Sequence, residues 1–121
     1  NLITDAGVSL NSDEASAYNA PYPAAEYRTA IRALPSMASL IDQERALKAW
    51  EKIKNFDKPF LTLFGEFDPL VGSKGIQNKL TNNIQGAKGQ PHDRLPGGHF
   101  IQESLGEEMA KRLVKFIESQ A

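Results

Sequence analysis

An α/β architecture with a parallel sheet is the fold class that three observations predict. Helical and strand-like segments follow one another in the order helix, helix, strand, helix, strand, helix. The run "PFLTLFG" is continuously apolar between a proline and a glycine, which suits a strand buried on both faces. The strongest amphipathic pattern closes the chain, as expected of a helix packed on a sheet.

Taken in order, Asn1 to Ala20 shows no sustained period and reads mostly as loop, with "SDEASAY" able to form a short helical turn. In "APYPAAEYRTAIRALP", Pro23 suits a first helical turn, Tyr27, Ala30, Ile31 and Leu34 recur at helical spacing, and Pro35 ends the run. From Ile41 to Phe56, Leu47, Trp50 and Ile53 share one face, and the pairs Glu44 with Lys48 and Glu51 with Lys54 fall on the other. Lys58-Pro59 stops that helix, and the strand "FLTLFG" follows. After "EFDPLVGSKG", Ile76, Leu80 and Ile84 recur every four residues, with Ser73 as N-cap, until "GAKGQP" breaks the pattern. "HDRL" is the candidate second strand. Ser104 with Glu107 forms a capping-box pattern ahead of the stripe Leu105, Met109, Leu113 and Ile117.

Composition narrows the function classes. The 121 residues suit one small domain, and 40% hydrophobic content is ordinary for a globular chain. With 14 basic and 15 acidic residues there is no broad positive surface for nucleic acid or anionic lipid. No cysteine and only two histidines leave no metal site to expect, and no cofactor motif is present. No apolar run approaches a membrane span, so a cytoplasmic location is expected. The chain opens on Asn1 in mid-pattern, as expected of a piece of something longer.

Chemistry in open α/β sheets gathers at the carboxyl ends of strands. Glu66, Asp68 and His99 lie there. An acid past one strand and a histidine past the next can meet over the sheet, where the carboxylate fixes the imidazole tautomer and stabilises its cation. Acid before histidine is also the chain order of α/β-hydrolases. Gly97 and Gly98 suit a loop that lifts an imidazole over the sheet edge. His92 reads as an ordinary strand-start residue and Trp50 as helix packing. Gly72-Ser73-Lys74-Gly75 lacks the spacing of a nucleophile elbow, and no G-x-D-x-G or G-x-S-x-G occurs.

The stretches "KPFLTLFGEFDPLVG", "GAKGQPHDRLPGGHFIQESLGEEMA" and "AYNAPYPAAEYRTAIRALP" resemble the C-terminal portion of haloalkane dehalogenases, members of the α/β-hydrolase superfamily, from about Ala17 onward. The resemblance implies the C-terminal part of an α/β-hydrolase fold: the end of the cap helices, the last two parallel strands and their flanking helices. Residues 1–40 would be the end of the cap and residues 41–121 part of the main domain. Asp68 resembles the family's catalytic acid, rather than Glu66, and His99 its catalytic base. Tyr22, Pro23, Leu70 and Phe100 would line the substrate cavity. The implied reaction displaces halide from a small haloalkane by an aspartate nucleophile, after which histidine-activated water hydrolyses the alkyl ester. That nucleophile and the halide-binding groups would lie upstream of Asn1, so the expected partner is the N-terminal half of the same enzyme or another copy of this chain. Tyr18, Tyr22 and Tyr27 keep an epoxide hydrolase open as an alternative, and a non-catalytic association module is the second.

Overall fold

The structure, a computed structural model, describes residues 9–37 and 40–120. Part of the loop expected at the start of the chain, residues 1–8, lies outside them. Within the described range that expectation is corrected, because α1, Ser12–Asn19, is a helix of 8 residues. Asn11 fixes its start: Oδ1 accepts from the N–H groups of Asp13 at 3.0 Å and Glu14 at 2.9 Å, while Glu14 Oε2 accepts from Asn11 N–H at 2.8 Å. This reciprocal cap satisfies first-turn donors in a segment with too few apolar residues to show a period.

A 3-10 turn, Ala25–Arg28, leads into α2, Thr29–Met37. Pro23 therefore precedes the helix instead of opening it. Pro35 does not end it, and lies inside α2 two residues before the last. The lost N–H and the crowding that proline brings fall on the final turn, where they interrupt little. The next helix, α3, Gln43–Lys54, is capped by Asp42, whose Oδ1 accepts from Arg45 N–H at 3.0 Å. Lys48 donates to Glu44 at 2.5 Å as the spacing predicts.

Two units make up the chain, Leu10–Glu51 and the residues from Lys52 onward. The first has no fully buried residue among those described. Its Leu34, Met37, Leu40, Ile41 and Leu47 are all more than half exposed, and Trp50 is half-buried.

The second unit holds the sheet. Strands β1, Leu63–Gly65, and β2, Asp93–Leu95, run parallel, with Leu63 opposite Asp93, Phe64 opposite Arg94 and Gly65 opposite Leu95. Asp93 N–H donates to Thr62 O at 3.1 Å and Glu66 N–H to Leu95 O at 2.8 Å, which carries the pairing past both ends of β1. Burial of "FLTLFG" on both faces is corrected: Thr62 and Gly65 are buried, but Leu61, Leu63 and Phe64 are half-buried. Two strands with one helix on either side in sequence supply too little surface to enclose both faces.

Between the strands lies α4, Lys74–Asn83. Ser73 occupies its N-cap position with extended backbone, although its side chain makes no capping bond. Ile84, just past α4, is fully buried and forms the core with Ala87, Leu95 and Ile101. The last helix, α5, spans Ile101–Glu118 and starts ahead of the expected capping box. Leu105 interrupts it with φ −132° and ψ 27°, so Ser104 marks a break within α5 and not its beginning. Leu105 and Met109 are half-buried, whereas Leu113 and Ile117 are exposed. Among the described residues no helix is long and apolar enough to cross a membrane.

Candidate active site

The turn after β1 aims a carboxylate. Asp68 Oδ1 accepts from the N–H groups of Leu70 at 2.7 Å and Val71 at 3.1 Å, which folds the chain back on itself. Gly72 N–H then donates to Asp68 O at 3.2 Å. Any side chain at 72 would start 2.3 Å from that same oxygen, so only glycine closes the turn this tightly.

The loop after β2 crosses the end of β1. Phe67 N–H donates to Gly97 O at 3.0 Å, and a Cβ at Gly65 would lie 2.2 Å from Gly98 O. The glycines of "PGGH" thus serve close approach. They do not take up left-handed backbone, since the one glycine with positive φ among the described residues is Gly89.

The two loops bring Asp68 and His99 together, with Nδ1 2.9 Å from Oδ2. The Asp68 side chain is 4% exposed and the imidazole 29% exposed. Burial pushes the Asp68 carboxyl up, but the His99 hydrogen bond, the N–H groups of Leu70 and Val71 and the charge of His99 together hold it below its ordinary value. An ionised carboxylate only accepts, so Nδ1 carries the proton and donates it to Oδ2. Nε2 is the ring nitrogen that Asp68 does not engage. The Phe100 ring stands edge-on to the imidazole, centroids 4.9 Å apart.

The second histidine has the opposite tautomer. Thr62 N–H donates to His92 Nδ1 at 3.2 Å, so Nε2 carries the proton and donates to Ala87 O at 2.7 Å. His92 ties the approach to β1 to the turn before β2, which is more than the ordinary strand-start position expected of it.

Of the other residues singled out in the sequence, Leu70 lies on the Asp68 turn and is 65% exposed. Glu66 is exposed, while Tyr22 and Pro23 lie in the first unit, half-buried and exposed respectively. A cavity of about 250 Å³ beside the pair is lined by Asp68, His99, Phe64, Val71, Ile101 and Met109 among others, but by neither Leu70 nor Phe100. Val71 and Met109 were not anticipated as lining; Met109 stood in the helical stripe, which signals packing alone. A larger groove of about 900 Å³, between Gln90–Asp93 and the end of α5, shares no lining residue with this cavity; it is lined by His92, Asp93 and Glu108 among others, but the His92 ring bonds to Thr62 and Ala87 and not to an acid. Among the described residues no group of three or more His, Asp or Glu could hold a metal ion.

No protein-family model matches the chain. A haloalkane dehalogenase of Mycobacterium marinum is 39% identical over 103 residues, covering 82% of this chain and 34% of the relative. By sequence, this chain is a relative of the haloalkane dehalogenases. A haloalkane dehalogenase of Mycolicibacterium paratuberculosis is 37% identical over 111 residues, 88% of this chain and 36% of the relative. One from Psychrobacter cryohalolentis is 40% identical over 107 residues, 84% and 34%. The chain thus spans about a third of the length of the haloalkane dehalogenases it matches. That relationship implies an α/β-hydrolase fold, and helices around a small parallel sheet agree with it.

Proposed function

We propose that this chain is the C-terminal portion of a haloalkane dehalogenase-like hydrolase that cleaves carbon–halogen bonds to alcohol and halide through an alkyl-enzyme ester. Residues 1–40 end its cap, and residues 41–121 belong to its main domain. Asp68 is the acid and His99 the base. The single observation that carries the reading is the hydrogen bond from His99 Nδ1 to an Asp68 carboxylate held ionised.

The chemistry follows from that bond. With Nδ1 committed to Asp68, Nε2 takes a proton from water as the water oxygen attacks the carbonyl of the ester. The imidazolium that forms is stabilised by the Asp68 charge; as the adduct collapses, the bond between the acyl carbon and the alkyl oxygen breaks, and that oxygen takes the proton back from Nε2 and leaves as alcohol, restoring the neutral base. Neither step calls on a cofactor. The aspartate that carries the ester is assigned to a segment beyond these residues, in the N-terminal half or supplied by association, because the 121 residues contain no nucleophile elbow. In the completed enzyme Tyr22, Pro23, Leu70 and Phe100 are assigned to the substrate cavity, although neither Leu70 nor Phe100 lines the cavity of about 250 Å³ beside the pair; a small haloalkane and water are the reactants.

The exposed apolar side chains of the first unit, Leu34, Leu40 and Leu47 among them, favour a second reading in which the chain acts only as an association module. Halide release separates the two. The proposal expects no turnover from the 121 residues alone and turnover when a nucleophile-bearing N-terminal half is supplied; association without turnover would favour the module.

A further inference from the structure

We propose that Arg94 is a positioning residue for the acid: by holding the Gly72 carbonyl, it keeps the Asp68 turn aimed at His99. This rests on the reading of Asp68 and His99 as an acid–base pair.

Arg94 is the middle residue of β2. One arm of its guanidinium donates to Gly72 O and the other to Gln77 Oε1 at 3.3 Å. Buried Gln77 is itself fixed, since its Nε2 donates to Thr62 Oγ1 and to Asp93 O, each at 3.1 Å. The fork therefore sits on a braced base made of α4, β2 and Thr62, the residue just before β1. Its Nε–H is buried and has no partner among the described residues. Leaving such a donor unpaired costs stability, and an apolar residue on this strand would avoid the cost. What the guanidinium supplies in return is its grip on Gly72.

That grip matters because the bonds from Leu70, Val71 and Gly72 N–H to Asp68 are internal to the turn and do not tie its far end to the sheet. Pro69, Leu70 and Val71 are exposed, so apolar packing does not hold it. Asp68 fastens the turn from inside through Oδ1, and Gly72 lies directly against the Asp68 backbone. Release of the Gly72 carbonyl frees the far end of the turn, and Oδ2 loses its fixed direction toward Nδ1. Lysine cannot replace the fork, because one ammonium does not reach two divergent acceptors with the same fixed geometry.

The test reads imidazole proton and nitrogen resonances by NMR in the 121-residue chain. The unmodified chain should show a strongly downfield His99 Nδ1 proton, and a separate His92 Nε2 proton that reports the fold. Arg94→Met should abolish the His99 signal while that of His92 persists, and Arg94→Lys should weaken it. Should Arg94→Met fail to fold, Arg94→Lys decides alone: a weakened His99 signal supports the role, and an unchanged one overturns it. A His99 signal indifferent to Arg94→Met overturns the positioning role and leaves the pairing intact. Absence of the signal from the unmodified chain counts against the pairing itself, and so against both.

Discussion

Asp68 and His99 meet side chain to side chain at 2.9 Å although 31 positions separate them in the chain. Each stands just beyond the carboxyl end of a strand, and parallel pairing brings those two ends to the same edge. The contact is therefore a product of topology, with the turns adding its aim.

The closest tolerance in that arrangement is at Gly65, where a side chain would start 2.2 Å from Gly98 O and 2.7 Å from Gly97 O. Gly65→Ala is expected to push the His99 loop away from β1 and to cost about 1–3 kcal/mol, as overpacking of a filled interior does. Chemical denaturation checks the loss, and the His99 imidazole proton should be lost with it.

The two histidines should respond differently to replacement. His92→Ala leaves Thr62 N–H without its acceptor, a loss of about 1–3 kcal/mol, while Ala87 O keeps its bond from Gln90 N–H. His99→Ala frees an Asp68 that keeps its bonds to Leu70 and Val71, so its effect on stability should be smaller. Denaturation midpoints of the two variants measure the difference.

Acid should weaken the fold through two aspartates. Asp68 is held below the ordinary 3.8 by the balance already described. Asp93 is lowered by its bonds from the Arg112 side chain and the Arg94 N–H, with burial opposing and the Arg112 charge adding. A carboxyl with a lowered folded-state value contributes stability fully above its unfolded value and loses it as pH falls through the folded one. Thermal midpoints should therefore hold steady with respect to these groups near neutrality and drop below about pH 4. Asp93→Asn should start lower at neutral pH and drop less; because Asp93 is 45% exposed, its contribution is of order 1 kcal/mol or below.

Much of the site was legible because its signals are local. A carboxylate follows an apolar run whose pattern reveals a strand, and a histidine follows two glycines; the strand before them, "HDRL", has a poor pattern and stands only as a candidate. The α1 helix escaped because Asn11 and Glu14 start it in a polar segment with no apolar period. Pro35 read as a stop, yet a proline this near the end of α2 removes little that the helix needs. The brace from Arg94 through Gln77 to Thr62 and His92 had no signal at all, since its members lie 15 to 30 positions apart and no periodicity relates them. Solvent exposure of the apolar stripes on α3 and α5 was equally hidden, because amphipathic spacing says which face is apolar and not what covers it.

The most direct measurement of the role of His99 is single-turnover mass spectrometry on His99→Gln, in an enzyme completed with a nucleophile-bearing N-terminal half and given a small chloroalkane. Loss of a general base slows its step about 10²–10⁴-fold, so one equivalent of halide should be released and the protein mass should rise by the alkyl group and stay there. Continued halide release at the rate of the unmodified enzyme, with no alkylated species, would contradict His99 as the base.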